Sequence, residues 1–584
     1  MRRSKRVVAL GMVAALGLIA AACGDDDDSG SATTTAGGGA TTTAAATTTA
    51  GGATTSAAAP DVGELLSYDE SAQCGVDPYT GNMAKIEAVD ALTVKFTLCT
   101  PDVAFPSKVA FSAFQIMPSE YLESTGGTGD FIDKPIGTGP YKLKTWDRGS
   151  QIILEANPDY WGEPPVNDTV VFRWSSEAAQ RLVELESGTA DGIDNVGTDD
   201  FEKIQGNSDL KLMERDATNV FYVGFNRDMA PFDKEEVRQA IGYAVDSQRI
   251  VDNFYPKGSA VATQFLPPSI PGYVEGFQGY TRDVAKAKEL LAAAGYPDGF
   301  DVTLSYRDVV RGYLPQPTVV ATDLQAQLAE VGINVTLDLQ ESGTFIDNAN
   351  GGKLPFYLLG WGADYPDATN FLDYHFGGGA SPQFGAGFDD IHELLAQAAS
   401  TSDPAARQAL YDQANAAIAQ HAPMIPIAHG GSATAFRADV TDAHSSPLGN
   451  EALFVMTPGD RQQIVWLQNG EPGGLYCADE TDGESLRVCE QFAESLLSYK
   501  INGTEVEPGL AEAFEPNEDL TEWTFTLRSG VKFHDGSDLD ANDVARTYRA
   551  QWDAEDPAHV GRVGDFTYFS ALFGGFLNPP PAAG

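Results

Sequence analysis

Seven histidines, five cysteines and a large excess of carboxylates are the side chains of this sequence that could do chemistry. His375, His392, His421, His429, His444, His534 and His559 are scattered. None stands in H-E-x-x-H or in another spacing that would put two imidazoles on one metal ion. No G-x-S-x-G elbow presents a nucleophilic serine. Gly137-Thr-Gly139 lacks the third glycine of a dinucleotide loop, and no Walker A sequence occurs. With 83 Asp and Glu, some carboxylate pair can always be drawn, so acids alone do not argue for a glycosidase. An exported peptidase or glycosidase therefore has no motif behind it, and binding is the better reading. Trp361, Asp364 and Tyr365 stand in the Gly- and Pro-rich stretch Gly360-Trp-Gly-Ala-Asp-Tyr-Pro-Asp367. An Asp there either caps turn amides or meets a ligand cation.

The chain has 584 residues, with 37 Lys and Arg against 83 Asp and Glu, a net charge of −46. That balance excludes the clustered positive charge needed for nucleic acid or for an anionic lipid surface. The length suits about three domains. Arg2, Arg3, Lys5 and Arg6 precede an uncharged run from Val7 to Ala22, too short for a spanning helix of about 20 residues and suited to an export signal. It ends in Ala20-Ala-Ala-Cys23. Small residues before Cys23 resemble a bacterial lipidation site, although Ala20 stands where Leu is usual. From Ser31 to Pro60 the chain is almost wholly Ala, Thr and Gly. It has too little apolar bulk to offset its ordering entropy and reads as a tether of roughly 30 Å mean reach. No later stretch of about 18 residues is uninterruptedly apolar. In an exported chain Cys74, Cys99, Cys477 and Cys489 read as two disulfides. The nearest-neighbour pairing joins Cys74 to Cys99 and Cys477 to Cys489; sequence does not choose among the three possible pairings.

The elements alternate. Asp233 to Glu236 reads as a capping box before Val237, Ile241 and Val245 at helical spacing. Asp283 to Ala294 reads as a helix closed by Gly295, and Phe300 to Tyr306 as a strand. Thr322 to Val331 reads as a helix, Ile333 to Leu339 as an alternating strand, and Pro355 to Gly360 as an apolar strand leading into Trp361. Asp389 to His421 reads as largely helical, and Trp523 to Arg528 as a strand. The pattern is α/β.

These segments carry a resemblance. Pro135-Ile-Gly-Thr-Gly-Pro-Tyr141, Ala156-Asn-Pro-Asp-Tyr-Trp-Gly162, Phe221 to Asn226 with Pro231-Phe232 and Val237-Arg-Gln-Ala240, Ala285 to Phe300, and Gly360 to Asp367 resemble the extracellular solute-binding proteins of family 5. Those proteins serve oligopeptide, dipeptide and nickel importers. Gln463 to Asn578 is similar to the opening of that family placed last: Gly470-Glu-Pro-Gly473, Val506 to Phe514, Leu527 to Gly536 and Ala541-Asn-Asp-Val544. The expectation is a circular permutation, with the ordinary ends joined through Met456 to Gln462 and a new opening between Asn578 and Ser67.

The resemblance implies a class II periplasmic-binding-protein-like α/β fold, with two lobes on a hinge and a third, smaller lobe. The expected division is a lipoprotein signal at 1–23, tether at 24–62, extra lobe at 63–132, lobe I at 133–230 and lobe II with the ligand loop at 231–438. The chain would return to lobe I at 439–504 and to the extra lobe at 505–584. The hinge is expected near Asn226 to Phe232 and His429 to Asp439. Trp361 would pack the ligand and Asp364 hold its α-ammonium, with Tyr365 and Asn226 as weaker contacts and Tyr160 and Trp161 as packing. The implied function is a lipid-anchored, monomeric receptor on the outer face of the membrane or in the periplasm. It would capture peptides without cofactor and hand them to an ABC permease and ATPase. Nickel chelates, opines, haem and oligosaccharides are the other ligand classes of such relatives.

Overall fold

The computed structural model describes residues 60, 62–378 and 380–579. The expected signal, Cys23 and nearly all of the tether lie outside the described residues. Three larger sheets organise the rest. A six-stranded sheet runs in the order Ala260–Val261, Met424–His429, Asn219–Phe225, Phe356–Gly362, Phe300–Tyr306, Ile333–Leu339. Its last two strands are parallel, in register from Phe300↔Ile333 to Tyr306↔Leu339. Helix Pro317–Ala329 joins them, the crossover that a parallel pair requires. Apolar clusters cover both faces of this sheet.

The second sheet has seven strands, Tyr141–Asp147, Gln151–Ala156, Thr169–Trp174, Gln463–Gln468, Gly192–Ile193, Ser432–Arg437 and Leu210–Arg215. The chain passes between the two sheets twice, after Arg215 into Asn219–Phe225 and after His429 into Ser432–Arg437. The second passage falls within the expected hinge His429 to Asp439, ahead of the 438/439 boundary, whereas the first comes earlier than the expected boundary at 230/231. The reason is the run Val220 to Phe225: all six residues are buried, so the whole strand belongs to the six-stranded sheet. The short polar segment 216–218 is left as the connection.

The third sheet draws on both ends of the described chain: Ser67–Asp69, Met83–Asp90 and Thr93–Leu98 pair onward with Glu522–Leu527 and Ala511–Pro516. Gln463 to Asn578 is therefore not a detached unit. Gln463–Gln468 is an inner strand of the seven-stranded sheet, in parallel register from Gln463↔Thr169 to Gln468↔Trp174. Asn82 N donates to Phe573 O at 2.6 Å, and the Arg549 guanidinium lies 5.2 Å over the Tyr68 ring. Both disulfides take the nearest-neighbour pairing, Cys74–Cys99 and Cys477–Cys489.

Local rules decide some element ends and tertiary contacts decide others. Asp283 caps helix Val284–Ala293 through Lys286 N, and Gly295 then takes a φ of +89° that only glycine adopts without strain. The expected Asp233 capping box does not form; the helix starts at Glu235 with Lys234 at its N-cap, and Lys234 Nζ instead donates to Ala294 O at 2.7 Å. Asp389 to His421 is two helices, Asp389–Ala399 and Pro404–His421, because Asp403 caps a new start with Pro404 in its first turn. The third helix begins at Pro317 instead of Thr322, with the proline in its first turn and no side-chain cap from Gln316.

Among the described residues no helix is long and apolar enough to cross a membrane.

Candidate ligand-binding site

Strand Phe356–Gly362 lies antiparallel to Asn219–Phe225, with Trp361 opposite Val220 at its end. Helix Ala368–Phe376 starts just beyond, capped by Asp367 through Thr369 N at 2.9 Å. Arg407 grips the same carboxylate with two bonds of 2.8 Å. Residues 363–366 are thus held between a strand end and a pinned helix start, and a site on rigid elements keeps its geometry.

Asn370, in the first turn of that helix, organises the loop. Its Oδ1 accepts from Trp361 Nε1 at 3.2 Å and from Asp364 N at 3.0 Å, and its Nδ2 donates to Asp364 Oδ2 at 2.9 Å. The Trp361 ring stacks on Tyr374, centroids 4.4 Å apart and 26° between planes. Tyr365 is buried, its hydroxyl 3.1 Å from Thr369 Oγ1.

This loop faces a cavity of about 340 Å³ between two parts of the molecule. One wall is Trp361, Asp364, Tyr365, Asn370, Asp373 and Tyr374. The other comes from the lobe built around the third sheet, with Asp102, Lys108, Tyr568 and Leu572. Lys108 Nζ donates to Asp102 at 2.7 Å and lies 5.6 Å from the Tyr365 ring centroid. Asp364 and Tyr568 also line a second cavity of about 190 Å³, closed by Phe111, Gly449, Asn450, Arg487 and Glu490. Asp364 therefore stands where two cavities meet.

The electrostatics are one-sided. Burial pushes the Asp364 carboxyl up to about 6, and the Asn370 amide only partly opposes that. Burial likewise raises Glu490 to about 7, against an Asn450 Nδ2 bond of 3.2 Å. Arg487 opposes the rise only weakly, at Glu490, because its guanidinium is engaged elsewhere. Its Nη2 lies 2.8 Å from Asp194 and its Nε 2.9 Å from Glu451, while Arg215 bonds the same two carboxylates. The four groups form a closed, buried square.

The other sequence candidates resolve as follows. Asn226 lines neither cavity. It is buried, its Nδ2 donating to Gly352 O at 2.8 Å and its Oδ1 accepting from Asp228 N at 2.9 Å, so it braces the end of its strand. Tyr160 and Trp161 both donate to Glu494, at 2.9 and 2.8 Å, and Thr138 donates to it at 2.7 Å. The two motifs Pro135 to Tyr141 and Ala156 to Gly162 thus converge on one half-buried acid. His534 spans the first motif, its Nδ1 accepting from Gly137 N at 3.2 Å. A Cβ on Gly137 would sit 2.1 Å from Phe492 O, which explains the glycine. Among the described residues no three His, Cys, Asp or Glu are grouped to hold a metal ion. Sequence reading missed Asn370, Asp373, Tyr374 and the Asp102–Lys108 pair. The first three lie within one helix after the loop and were findable from its start signal; the last pair has no sequence link to it.

Comparison with known proteins assigns the class. The chain matches the bacterial extracellular solute-binding proteins, family 5, over residues 40–383 and 505–565, and it belongs to that family. It is 34% identical over 388 residues to di/tripeptide-binding protein 1 of Pseudomonas aeruginosa, covering 65% of this chain and 72% of the relative. It is 32% identical over 375 residues to the dipeptide-binding protein of Escherichia coli, covering 63% and 70%. Among solved structures, HbpA2 from Haemophilus parasuis aligns with a TM-score of 0.60 and 30% identity over 65% of this chain and 76% of that one. A Pseudoalteromonas dipeptide-binding protein in complex with Met-Leu aligns with a TM-score of 0.56 and 28% identity, over 66% and 77%. These relatives are solute-binding receptors and not enzymes, and the fold is theirs.

Proposed function

We propose that this chain captures peptides with a free amino terminus and delivers them, chemically unchanged, to an ABC permease. The observation that carries this reading is Asp364: a half-buried carboxylate at the junction of two interlobe cavities, answered by a single side-chain amide. Such a group is costly while unpaired and strongly favourable against an ammonium in a water-poor cleft. Closure then follows from the ligand's greater affinity for the closed form. Trp361, held flat on Tyr374, offers an apolar face for the ligand, and Tyr365 supports the loop from below. Mass spectrometry of material co-purifying with the protein, followed by calorimetric titration, tests this. Di- and tripeptides are expected to bind without turnover, and their N-acetylated forms to fail. Equal binding of the acetylated forms, or new products, would refute the assignment.

Two further features belong to this reading. The chain order is read as a circular permutation; the sharing of one sheet by strands from both ends supports this reading, because joining adjacent termini and opening an exposed loop leaves such a sheet intact. A gene re-ordered as 463–578 followed by 67–456 is expected to give a protein with the same circular dichroism and ligand affinity. An insoluble product alongside a folded parent would argue that the present order is required. Cys23 is proposed as a lipidation site holding the receptor at the outer face of a membrane, and incorporation of labelled fatty acid lost in Cys23→Ser is the check.

A further inference from the structure

The 340 Å³ cavity beside Asp364 holds more acid than one ammonium can answer. Four charged side chains line it: Asp102, Lys108, Asp364 and Asp373. Lys108 is taken by Asp102 at 2.7 Å, with both side chains nearly buried. Behind the wall, Asp367 is likewise taken by Arg407. Asp364 and Asp373 remain. Asp373 Oδ2 is buried and accepts no hydrogen bond. A buried, unsatisfied carboxylate oxygen in a native protein calls for a partner that completes it. The two donors nearest in the helix are spent elsewhere, Asn370 giving its amide to Asp364 and Thr369 its hydroxyl to Asp367.

The rest of the lining fits a long aliphatic stem with a charged tip. Trp361 and Tyr374 present stacked rings on one side, and Ala571 and Leu572 are apolar on the other. Lys and Arg side chains bury such stems along apolar surface while the head finds its counter-charge. The volume lies within the roughly 300–1,000 Å³ typical of small-molecule sites.

We propose that this cavity receives a basic side chain, that of a Lys- or Arg-like residue at the first position of the peptide, with Asp373 as its counter-ion. The proposal rests on the reading that Asp364 holds the α-ammonium of the same residue. The receptor then selects ligands carrying two positive charges at one end. Burial, reinforced by Asp367, pushes the Asp373 carboxyl up to about 8, with Arg407 and Lys108 opposing and Asp102 adding to the rise. Pairing with a cation reverses that shift, so a basic peptide displaces a proton that a neutral one leaves in place.

Calorimetric titration of the full chain with Lys-Ala, norleucyl-Ala and Glu-Ala tests it, since norleucine keeps the stem and removes the charge. Lys-Ala is expected to bind about tenfold or more tightly than norleucyl-Ala, as for a desolvated charge pair, with Glu-Ala weakest. In Asp373→Asn the Lys-to-norleucine ratio is expected to fall to within about twofold. Titration of the unaltered protein at pH 7 in two buffers of different ionisation enthalpy is expected to show extra proton release with Lys-Ala only. If Lys-Ala and norleucyl-Ala bind the unaltered protein equally, the cavity is not selective for charge and only the general peptide reading stands. A preference that survives Asp373→Asn overturns the role of Asp373. If none of the three peptides binds, the peptide reading itself fails and this inference with it.

Discussion

Asp364→Asn is expected to weaken binding of a free-amine peptide by about 2–5 kcal/mol, the loss for one partner of a buried charged pair. The same substitution is expected to stabilise the empty protein. The folded-state pKa of Asp364 is raised by burial from 3.8 to about 6. Between those values the folded state holds the extra proton, so stability falls as pH rises through that window, and the full penalty is present above pH 6. Two units correspond to about 3 kcal/mol; because the carboxylate faces an open cavity, solvent screening reduces this to about 1 kcal/mol. Asn has no charge to desolvate and keeps an oxygen for the Asn370 amide. Thermal melts should therefore put the variant above the parent at pH 7, with the gap closing by pH 4. Peptide affinity of the parent should itself decline as pH drops below about 6, because a neutral carboxyl no longer draws an ammonium. A variant that binds as the parent does would remove Asp364 from the site.

Glu451→Gln is expected to cost about 3–5 kcal/mol of folding stability, the range for removing one partner from a buried ion cluster. Glu451 is fully buried between Arg215 and Arg487, and Asp194 closes the square from the other side. Losing its charge leaves two guanidiniums on one carboxylate. Burial would raise Asp194, but Arg487 and Arg215 outweigh it and hold it below the usual carboxylate range. Its contribution is therefore present above the unfolded carboxylate pKa and is lost as pH falls toward the folded value. Urea titration at pH 7 checks the prediction, and a midpoint equal to the parent's would contradict it. Binding should report the change too. Arg215 ends the last strand before the first passage between sheets, and Arg487 lines the 190 Å³ cavity. A chain in which the square holds both passage and cavity in place should lose affinity together with stability.

Much of the architecture was readable in advance, for a local reason. Ile333 to Leu339 and Phe300 to Tyr306 have the strand bounds expected, because alternation and flanking glycines are properties of the segment itself. Asp283 and Gly295 bound a helix as capping rules require. The misplaced passage between sheets had no local signal. Val220 to Phe225 looks the same whether its sheet is the last of one lobe or the first of the next, and only its neighbours Phe356–Gly362 and Met424–His429 decide. The Asp233 box lost to a tertiary demand, since Lys234 is drawn to the Ala294 carbonyl and becomes the cap position itself.

Periodicity pointed to an α/β fold, and the order of the family motifs pointed to solute binding and to the loop of Trp361, Asp364 and Tyr365, which the fold places against a cavity. They could not say which acids near that loop carry usable charge. Asp102, Asp367 and Asp373 look alike in the chain, yet Lys108 and Arg407 neutralise the first two and leave the third. Arg487 looks like a free cation until Glu451 and Asp194 are seen around it. Charge pairing acts over a few ångströms of space, and only folding brings these groups within that range.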